Sequence, residues 1–517
     1  VSESAAAGVR TAPPPMQGGR LALAMLALSL GSFMNILDLS IANVSVPTIA
    51  GDLGVSYTQG TWVITSYAVA EAIMLPLTGW LAGRFGQVRM FTTATLMFTL
   101  ASLLCGTSTS FPMLLAARVM QGVVGASMIP LSQTLITVIS RPERRGFALG
   151  IWAMTTVVAP IAGPLAGGWL TENLSWHWVF LINLPTGLLV TALVVALLPA
   201  HESIRRKLPV DMVGLGLLVV GVGSLQILLD KGNELDWFGS NVIIALACTS
   251  VFALALFVAW ELTDEHPVVD LRLFARRNFA VGVICLMIGA MAFFGTVVVL
   301  PLWLQTYQGY TALWAGKAIA TGGVFAVFLG PIIGANLGRL DARAVASFGF
   351  CVFSLVAFWS ARFTPDVDFF NVSLTRLFMG IGISCFFLPI ISINLSGLPS
   401  ERIAAATGVA NFMRNIGTSF GTAILTSVWV HKASVHHARL TEQVNPYNPL
   451  SVSYLHSLGS AGYSPDQAFA QINQMITTQS YLLATNAVLC ICGMMTMCLI
   501  PFVWLARRPR GVRGVAH

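Results

Sequence analysis

The chain has 517 residues, of which 56% are hydrophobic and only 9% charged, whereas soluble domains carry about 25% charged residues. An array of soluble domains is therefore excluded. The formal charge of +7 and the pI of 9.1 are spread over many short segments, so the basic balance does not indicate nucleic acid. Apolar runs of about 20 residues, each long enough to cross a bilayer core as a helix, recur throughout and predict an all-α polytopic membrane protein.

Taken in order, residues 1–20 (VSESAAAGVRTAPPPMQGGR) read as a mobile cytoplasmic tail. The run from Leu21 is too long for a signal-peptide core and lacks a small-residue cleavage site, so it reads as a retained span. Fourteen spans are predicted. They are 21–47, 60–82, 90–107, 112–135, 146–170, 177–199, 211–230, 241–262, 278–304, 313–337, 344–361, 370–396, 403–431 and 480–506. Residues 21–199 form an N-terminal six-helix half. Residues 200–277 hold two extra helices with linkers, and 278–506 form a C-terminal six-helix half. A long polar outer loop is expected at 432–479, and 507–517 form a basic inner tail.

Charge sets the orientation. Twenty of the 28 lysines and arginines fall on the side of the N-terminus; four (Lys231, Arg362, Lys432, Arg439) fall on the other, and Arg118, Lys317, Arg376 and Arg414 lie within spans. The positive-inside rule then places both termini in the cytoplasm. All eight cysteines lie in apolar runs and read as packing residues. His431, His436 and His437 have no acid or cysteine to complete a metal site and read as solvated loop, in a segment that offers a surface to a partner protein.

The two halves repeat. RVMQGVVG at 118–125 resembles RLFMGIGI at 376–383, an offset close to 258 residues. RPERRGFALG from 141 resembles LPSERIAAATG from 398, and GxxxG spacings follow at Gly163/Gly167 and Gly417/Gly421. Internal repeats of this kind are common in transporters. No GxxxxGK[ST], nucleophile elbow or HExxH occurs, so built-in ATP hydrolysis and hydrolytic chemistry have no support and no enzyme is expected.

Against this apolar background the buried charges stand out. Asp38 lies mid-span, and a charge there costs from about 2.5 to over 10 kcal/mol. Burial favours the neutral carboxyl and a nearby arginine favours the charged one, a balance that suits proton coupling. Helical rise of about 1.5 Å per residue puts Asp38, Glu71 and Arg118 at similar depth, so all three are candidates for one proton-coupling site. Glu71 reads equally as a structural partner of Arg118. Asn35, Asp38, Ala42 and Ser45 share one helical face. Arg376 and Arg414 have no intramembrane acid in their own half and are free to meet carbonyls or an anionic substrate, while Lys317 is expected to snorkel outward. Asn35, Trp62, Tyr67, Trp152, Met154, Phe293, Phe294, Trp303 and Arg414 are candidate substrate-binding residues, because an apolar pocket with few polar groups suits varied hydrophobic ligands. In span 5, Gly163, Gly167 and Gly168 are expected to admit a close helix and Pro164 to loosen the backbone.

These residues carry a resemblance. LDLSIANVSVPTIAGDLG (37–54), QGTWVITSYAVAEAIMLPLTGW (59–80), RVMQGVVGASMIPLSQTL (118–135), VVAPIAGPLAGGW (157–169), LQILLDKGNELDWF (225–238), WELTDEHPVVDLRLF (260–274) and SGLPSERIAAATG (396–408) resemble the major facilitator superfamily. Within it they resemble the fourteen-helix drug:proton antiporters of the EmrB type. The resemblance implies the major facilitator fold and no cofactor, with export of hydrophobic toxic compounds powered by the proton motive force. It also implies a bacterial inner membrane, a periplasmic EmrA-type adaptor and a TolC-type outer-membrane channel. It implies further that Gly163, Pro164, Gly167 and Gly168 form the antiporter helix motif and that Gly79, Arg84, Gly86 and Arg89 form the cytoplasmic gate loop. That loop reads GWLAGRFGQVR at 79–89, with Gly83 where the family places an acid. Export of long-chain fatty acids is the alternative within the fold, and a non-transporting sensor or structural subunit is the alternative outside it.

Overall fold

The computed structural model describes residues 15–508 except 142–143, 206–208, 210 and 265–266. The long helices are α1 (Gly18–Asp52), α2 (Trp62–Met74, continued by Thr78–Phe85), α3 (Gln87–Gly106), α4 (Phe111–Gly125, continued by Met128–Ile139) and α5 (Arg145–Asn173). They continue as α6 (Asn183–Leu197), α7 (Met212–Lys231), α8 (Asn241–Thr263), α9 (Arg277–Tyr307) and α10 (Ala312–Asn336). The last are α11 (Ala342–Ser360), α12 (Phe369–Leu395), α13 (Ser400–Thr441) and α14 (Pro465–Val503). Among the described residues, 11 helices are long and apolar enough to cross a membrane, or 13 if each of two bent pairs is one span. Every predicted span thus coincides with a helix, but length and composition do not reach the predicted fourteen. The exception is α13, which carries Asn411, Arg414 and Asn415 along its middle. It packs against α9, α14, α4 and α2, and Asn411 and Arg414 line a cavity within the protein.

Prolines account for the bends. The two parts of α2 meet at 63° around Pro76, which supplies no backbone donor. A bend of 44° divides α5 between Pro160 and Ala162. Pro164 cannot donate to the carbonyl of Pro160, and the Ser40 hydroxyl of α1 donates to it instead at 3.1 Å.

The segment expected to be a loop at 432–479 is mostly helical. α13 runs on to Thr441, a separate helix spans Pro449–Ser460, and α14 begins at Pro465. A reciprocal capping box between Ser464 and Gln467, with Pro465 at the first helical position, starts α14. These stretches lack an apolar run, which is why span counting missed them. At the other end α1 already begins at Gly18, inside the expected tail; residues 1–14 and 509–517 of the two expected tails lie outside the described residues.

α5 packs along α1 on one side and α10 on the other, and α7 touches α8, α2 and α13. Glycines allow the closest approaches. At the inner end, a Cβ on Gly150 would lie 2.5 Å from the Gly330 carbonyl oxygen, and one on Gly79 would lie 2.5 Å from Ala405 Cα. Gly146 and Gly334 face each other in the same way. Polar contacts complete the seam, with Thr134 and Thr407 hydroxyls 2.9 Å apart and the Asn411 amide donating to Gln133 at 3.1 Å. The N-terminal and C-terminal helices are therefore sealed together at the end that the arginine bias assigns to the cytoplasm. Gly150→Val is expected to wedge this seam open. A cysteine placed at Asn411 should then label several-fold faster from the cytoplasmic side than in the parent.

Candidate functional site

The centre of the site forms because α1 and α4 each bring one charged residue to the same depth. Asp38 and Arg118 are both fully buried, and Arg118 Nη1 donates to Asp38 Oδ2 at 2.6 Å. The other carboxylate oxygen, Oδ1, accepts from the Gln121 amide at 3.0 Å and the Asn183 amide at 2.7 Å. Arg118 is held by three further groups. Its Nε donates to the Val63 carbonyl at 2.9 Å, its Nη1 also donates to Gln121 Oε1 at 2.8 Å, and its guanidinium lies 4.4 Å from the centre of the Tyr67 ring. Ser102 of α3 closes the network, accepting from Gln121 at 3.1 Å and Asn183 at 2.9 Å.

Side chains of α4 and α6 therefore donate to one carboxylate of α1, and groups of α2 and α3 brace them. Such hydrogen bonding helps a buried ion pair to offset its desolvation, although Arg118 Nη2 has no partner. A proton arriving on Asp38 Oδ1, which already accepts two hydrogen bonds, must displace one of its donors, so protonation there rearranges the network.

Glu71 does not join this pair. It lies one helical turn beyond Tyr67 on α2, beside the Tyr67 side chain. Its principal charge neighbour is Arg414 of α13, with Arg118 second. The expectation that Arg414 lacks an acid held only within its own half; the acid comes across from the other. Tyr67, placed by sequence among substrate ligands, instead connects the two carboxylates. Its oxygen accepts from the Asn35 amide of α1 at 2.9 Å, and its ring supports Arg118.

Residues 28–422 match the Major Facilitator Superfamily. The chain belongs to that superfamily. It is 47% identical over 501 residues to the multidrug export protein EmrB of Haemophilus influenzae, covering 97% of this chain and 98% of that one. It is 42% identical over 504 residues to the fatty acid resistance protein FarB of Neisseria gonorrhoeae, covering 98% and 99% respectively. Its fold resembles the crystal structure of the human organic anion transporter MFSD10, with a TM-score of 0.59 at 13% identity over 94% of this chain and all of that one. This superfamily member is a multi-pass membrane protein.

In this chain the loop between α2 and α3 is built around an acid from elsewhere in the sequence. Gly83 stands where the family places its acid. Glu202, from the segment after α6, instead accepts the backbone N–H of Val88 at 3.1 Å and of Arg89 at 3.0 Å, and so caps α3. Gly86 has φ of +94°, and any Cβ there would strike the Glu202 carboxylate. The Arg89 side chain is 64% exposed and 4.0 Å from Glu202, so the caps outweigh the ion pair. Arg84 lies over the Trp80 ring at 5.4 Å. Glu202→Ala is expected to lower stability by about 1–2 kcal/mol through the lost caps, read as a fall in the thermal midpoint of the purified protein.

The remaining candidates divide. Gly163 packs α5 against Ser40 of α1, and a Cβ on Gly167 would lie 3.0 Å from the Ile41 carbonyl; Gly168 faces open space and admits no helix. Trp152 lies in the N-terminal core, where its indole donates to Ser32 at 3.1 Å and Ser132 at 2.9 Å. Trp303 is likewise buried, stacked on Phe363 at 6.3 Å. Trp62 sits beneath the Lys231 ammonium at 5.3 Å, at the outer end of α2. Met154 packs beside Gly330 in the α5–α10 contact. Phe293 and Phe294 form an edge-to-face pair at 5.1 Å, and Phe293 lines an apolar cleft between α5, α9, α10 and α12. Arg414 lines a smaller inner cavity with Gln133, Asn394 and Asn411. Lys317 lies 4.8 Å from the Trp314 ring centre, near the outer end of α10. Among the described residues, no three His, Cys, Asp or Glu side chains are placed to hold a metal ion.

Proposed function

We propose that this chain is a proton-coupled antiporter that exports hydrophobic toxic compounds across a bacterial inner membrane. The observation that carries the reading is the fully buried Asp38–Arg118 pair at 2.6 Å. An intramembrane carboxylate so expensive to bury normally marks function. In this reading the cytoplasmic seam is closed, Asp38 is ionised and Arg118 holds it. A proton from the outer side neutralises Asp38, loosens the α1–α4 contact and favours reopening inward. Substrate binding in the inward form then competes with that proton. The likeness to EmrB supports multidrug substrates, and the proton motive force is assigned as the only energy source.

The same likeness supports assembly into a three-part pump with a periplasmic EmrA-type adaptor and a TolC-type outer-membrane channel. The helical outer extension fits such a contact, since it exposes Tyr447 at 94% and Leu450 at 80%. The two six-helix halves and the inserted pair within 200–277 are assigned on the superfamily pattern. The test is transport in proteoliposomes under an imposed pH gradient. Uphill movement of a hydrophobic cation should appear with the gradient and collapse on adding a protonophore. Movement unaffected by the protonophore contradicts proton coupling.

A further inference from the structure

The two flanks along which the halves meet are closed in different ways. On one flank α5 and α10 touch at both ends. A Cβ on Gly146 would lie 2.2 Å from the Gly334 carbonyl oxygen at the inner end, and one on Gly316 would lie 3.3 Å from Leu165 at the outer end. On the other flank α2 and α13 touch in this way toward the inner end, where a Cβ on Gly408 would lie 3.3 Å from the Leu75 carbonyl oxygen. Further out, α7 lies against both of them.

Polar groups fasten α7 to each side. Toward α2, Asp230 accepts from the Thr65 hydroxyl, and the Lys231 ammonium donates to the Thr61 hydroxyl at 2.6 Å. Toward α13, the Gln226 amide donates to the Ser419 hydroxyl at 3.0 Å, and that hydroxyl donates back to Gln226 Oε1 at 3.1 Å. Apolar packing follows the same course. Leu218 and Val222 of α7 share one buried cluster with Ala72 of α2 and Val409 of α13, and Leu229 shares another with Ala423 of α13. The opposite side of α7 exposes Val219 and Val220, and α8 beside it exposes Val251 at 70%, as suits lipid. A polar side chain in such a span is expensive unless it is paired. Gln226 is 6% exposed and finds its partner across the flank on α13.

We propose that α7 is a lateral wall. With the cytoplasmic seam closed, it shuts the outer part of the α2–α13 flank against the bilayer and excludes lipid-borne molecules from the space between the halves. A hydrophobic compound on its way outward then cannot slip sideways there into the membrane. That consequence rests on the exporter reading; the wall itself does not.

The test is thiol labelling of the full chain in phosphatidylcholine nanodiscs by a pyrene maleimide dissolved in the bilayer. The background has Cys248, Cys351, Cys490 and Cys498, the cysteines that are not buried, replaced by alanine. Single cysteines report from beneath α7 on α2 (Ala72→Cys) and on α13 (Ala423→Cys), and from the lipid-facing side of α8 (Val251→Cys). The two covered sites are reached only by local opening, so they should label at least about 10-fold more slowly than Val251→Cys. Releasing both clasps with Gln226→Ala and Asp230→Ala should raise their rates several-fold and leave Val251→Cys unchanged. Gly223 lies over Ile73, and a Cβ on it would already be 3.6 Å from that side chain. Gly223→Leu should therefore push α7 off α2 and raise labelling of Ala72→Cys, which decides the matter if the double variant does not fold. Rates at Ala72→Cys and Ala423→Cys equal to that at Val251→Cys overturn the proposal. So do slow rates that stay unchanged when α7 is loosened. Labelling needs no gradient, so a failure of proton-driven transport with the cover intact counts against the exporter reading only.

Discussion

Asp38→Asn is expected to abolish uphill, gradient-driven transport while leaving downhill movement of substrate in place. The substitution keeps the size of the side chain and an acceptor oxygen, but it cannot exchange a proton. It also leaves Arg118 buried at 0% exposure without a counter-ion, a change that typically costs about 3–5 kcal/mol. A large fall in thermal midpoint should accompany the loss of coupling. The two effects separate in the double variant. Asp38→Asn with Arg118→Gln removes both charges and should recover much of the stability, because no uncompensated ion remains. It should recover none of the uphill transport. Reconstituted vesicles and a thermal melt of the same preparations check both.

Glu71→Gln is expected to act through a different arginine. Sequence depth alone puts Glu71 with Arg118, yet Arg118 is already neutralised by Asp38 at 2.6 Å. Arg414, from the other half, is the stronger charge neighbour of Glu71. Opposite charges near one another and partly removed from water couple on the order of 1 kcal/mol or more. A double-mutant cycle on Glu71 and Arg414 should therefore show coupling of at least about 1 kcal/mol in thermal stability, and one on Glu71 and Arg118 less than half of that. Because α2 and α13 stand on opposite sides of the seam, Glu71→Gln should also weaken the sealed form. A cysteine at Asn411 would report this as faster labelling from the cytoplasmic side. The opposite ranking of the two cycles would return Glu71 to the Asp38 site.

Much of this arrangement could be read from residues alone. Apolar runs located the long helices, the arginine bias oriented them, and the position of Asp38 in an oily run marked the site. Gln121 was legible too, since it stands three residues after Arg118 on the same helical face, although only the arginine drew notice. Ser102 and Asn183 were not legible, because single polar residues are ordinary in spans and their convergence depends on how α3 and α6 pack. The pairing of Glu71 with Arg414 crosses between the halves, and no spacing rule links positions so far apart. The surroundings of Trp152 and Trp303 were hidden for a related reason. A midspan aromatic reads the same whether it faces a cavity or a packed core, and only the Ser32 and Ser132 contacts or the Phe363 stack decide. The outer helices at 449–460 and from 465 carry no apolar signal, and only their caps, Asn448 before Pro449 and the Ser464–Gln467 box, mark where they begin.

The account rests on one exchangeable proton at Asp38, and the most direct measurement is proton release on substrate binding. Purified protein in weakly buffered detergent solution, with a pH indicator present, is given a saturating hydrophobic cation. The parent should release protons in proportion to the substrate bound, and Asp38→Asn should bind substrate without releasing any. Release from Asp38→Asn equal to that of the parent would contradict the account and move the proton to another carboxyl.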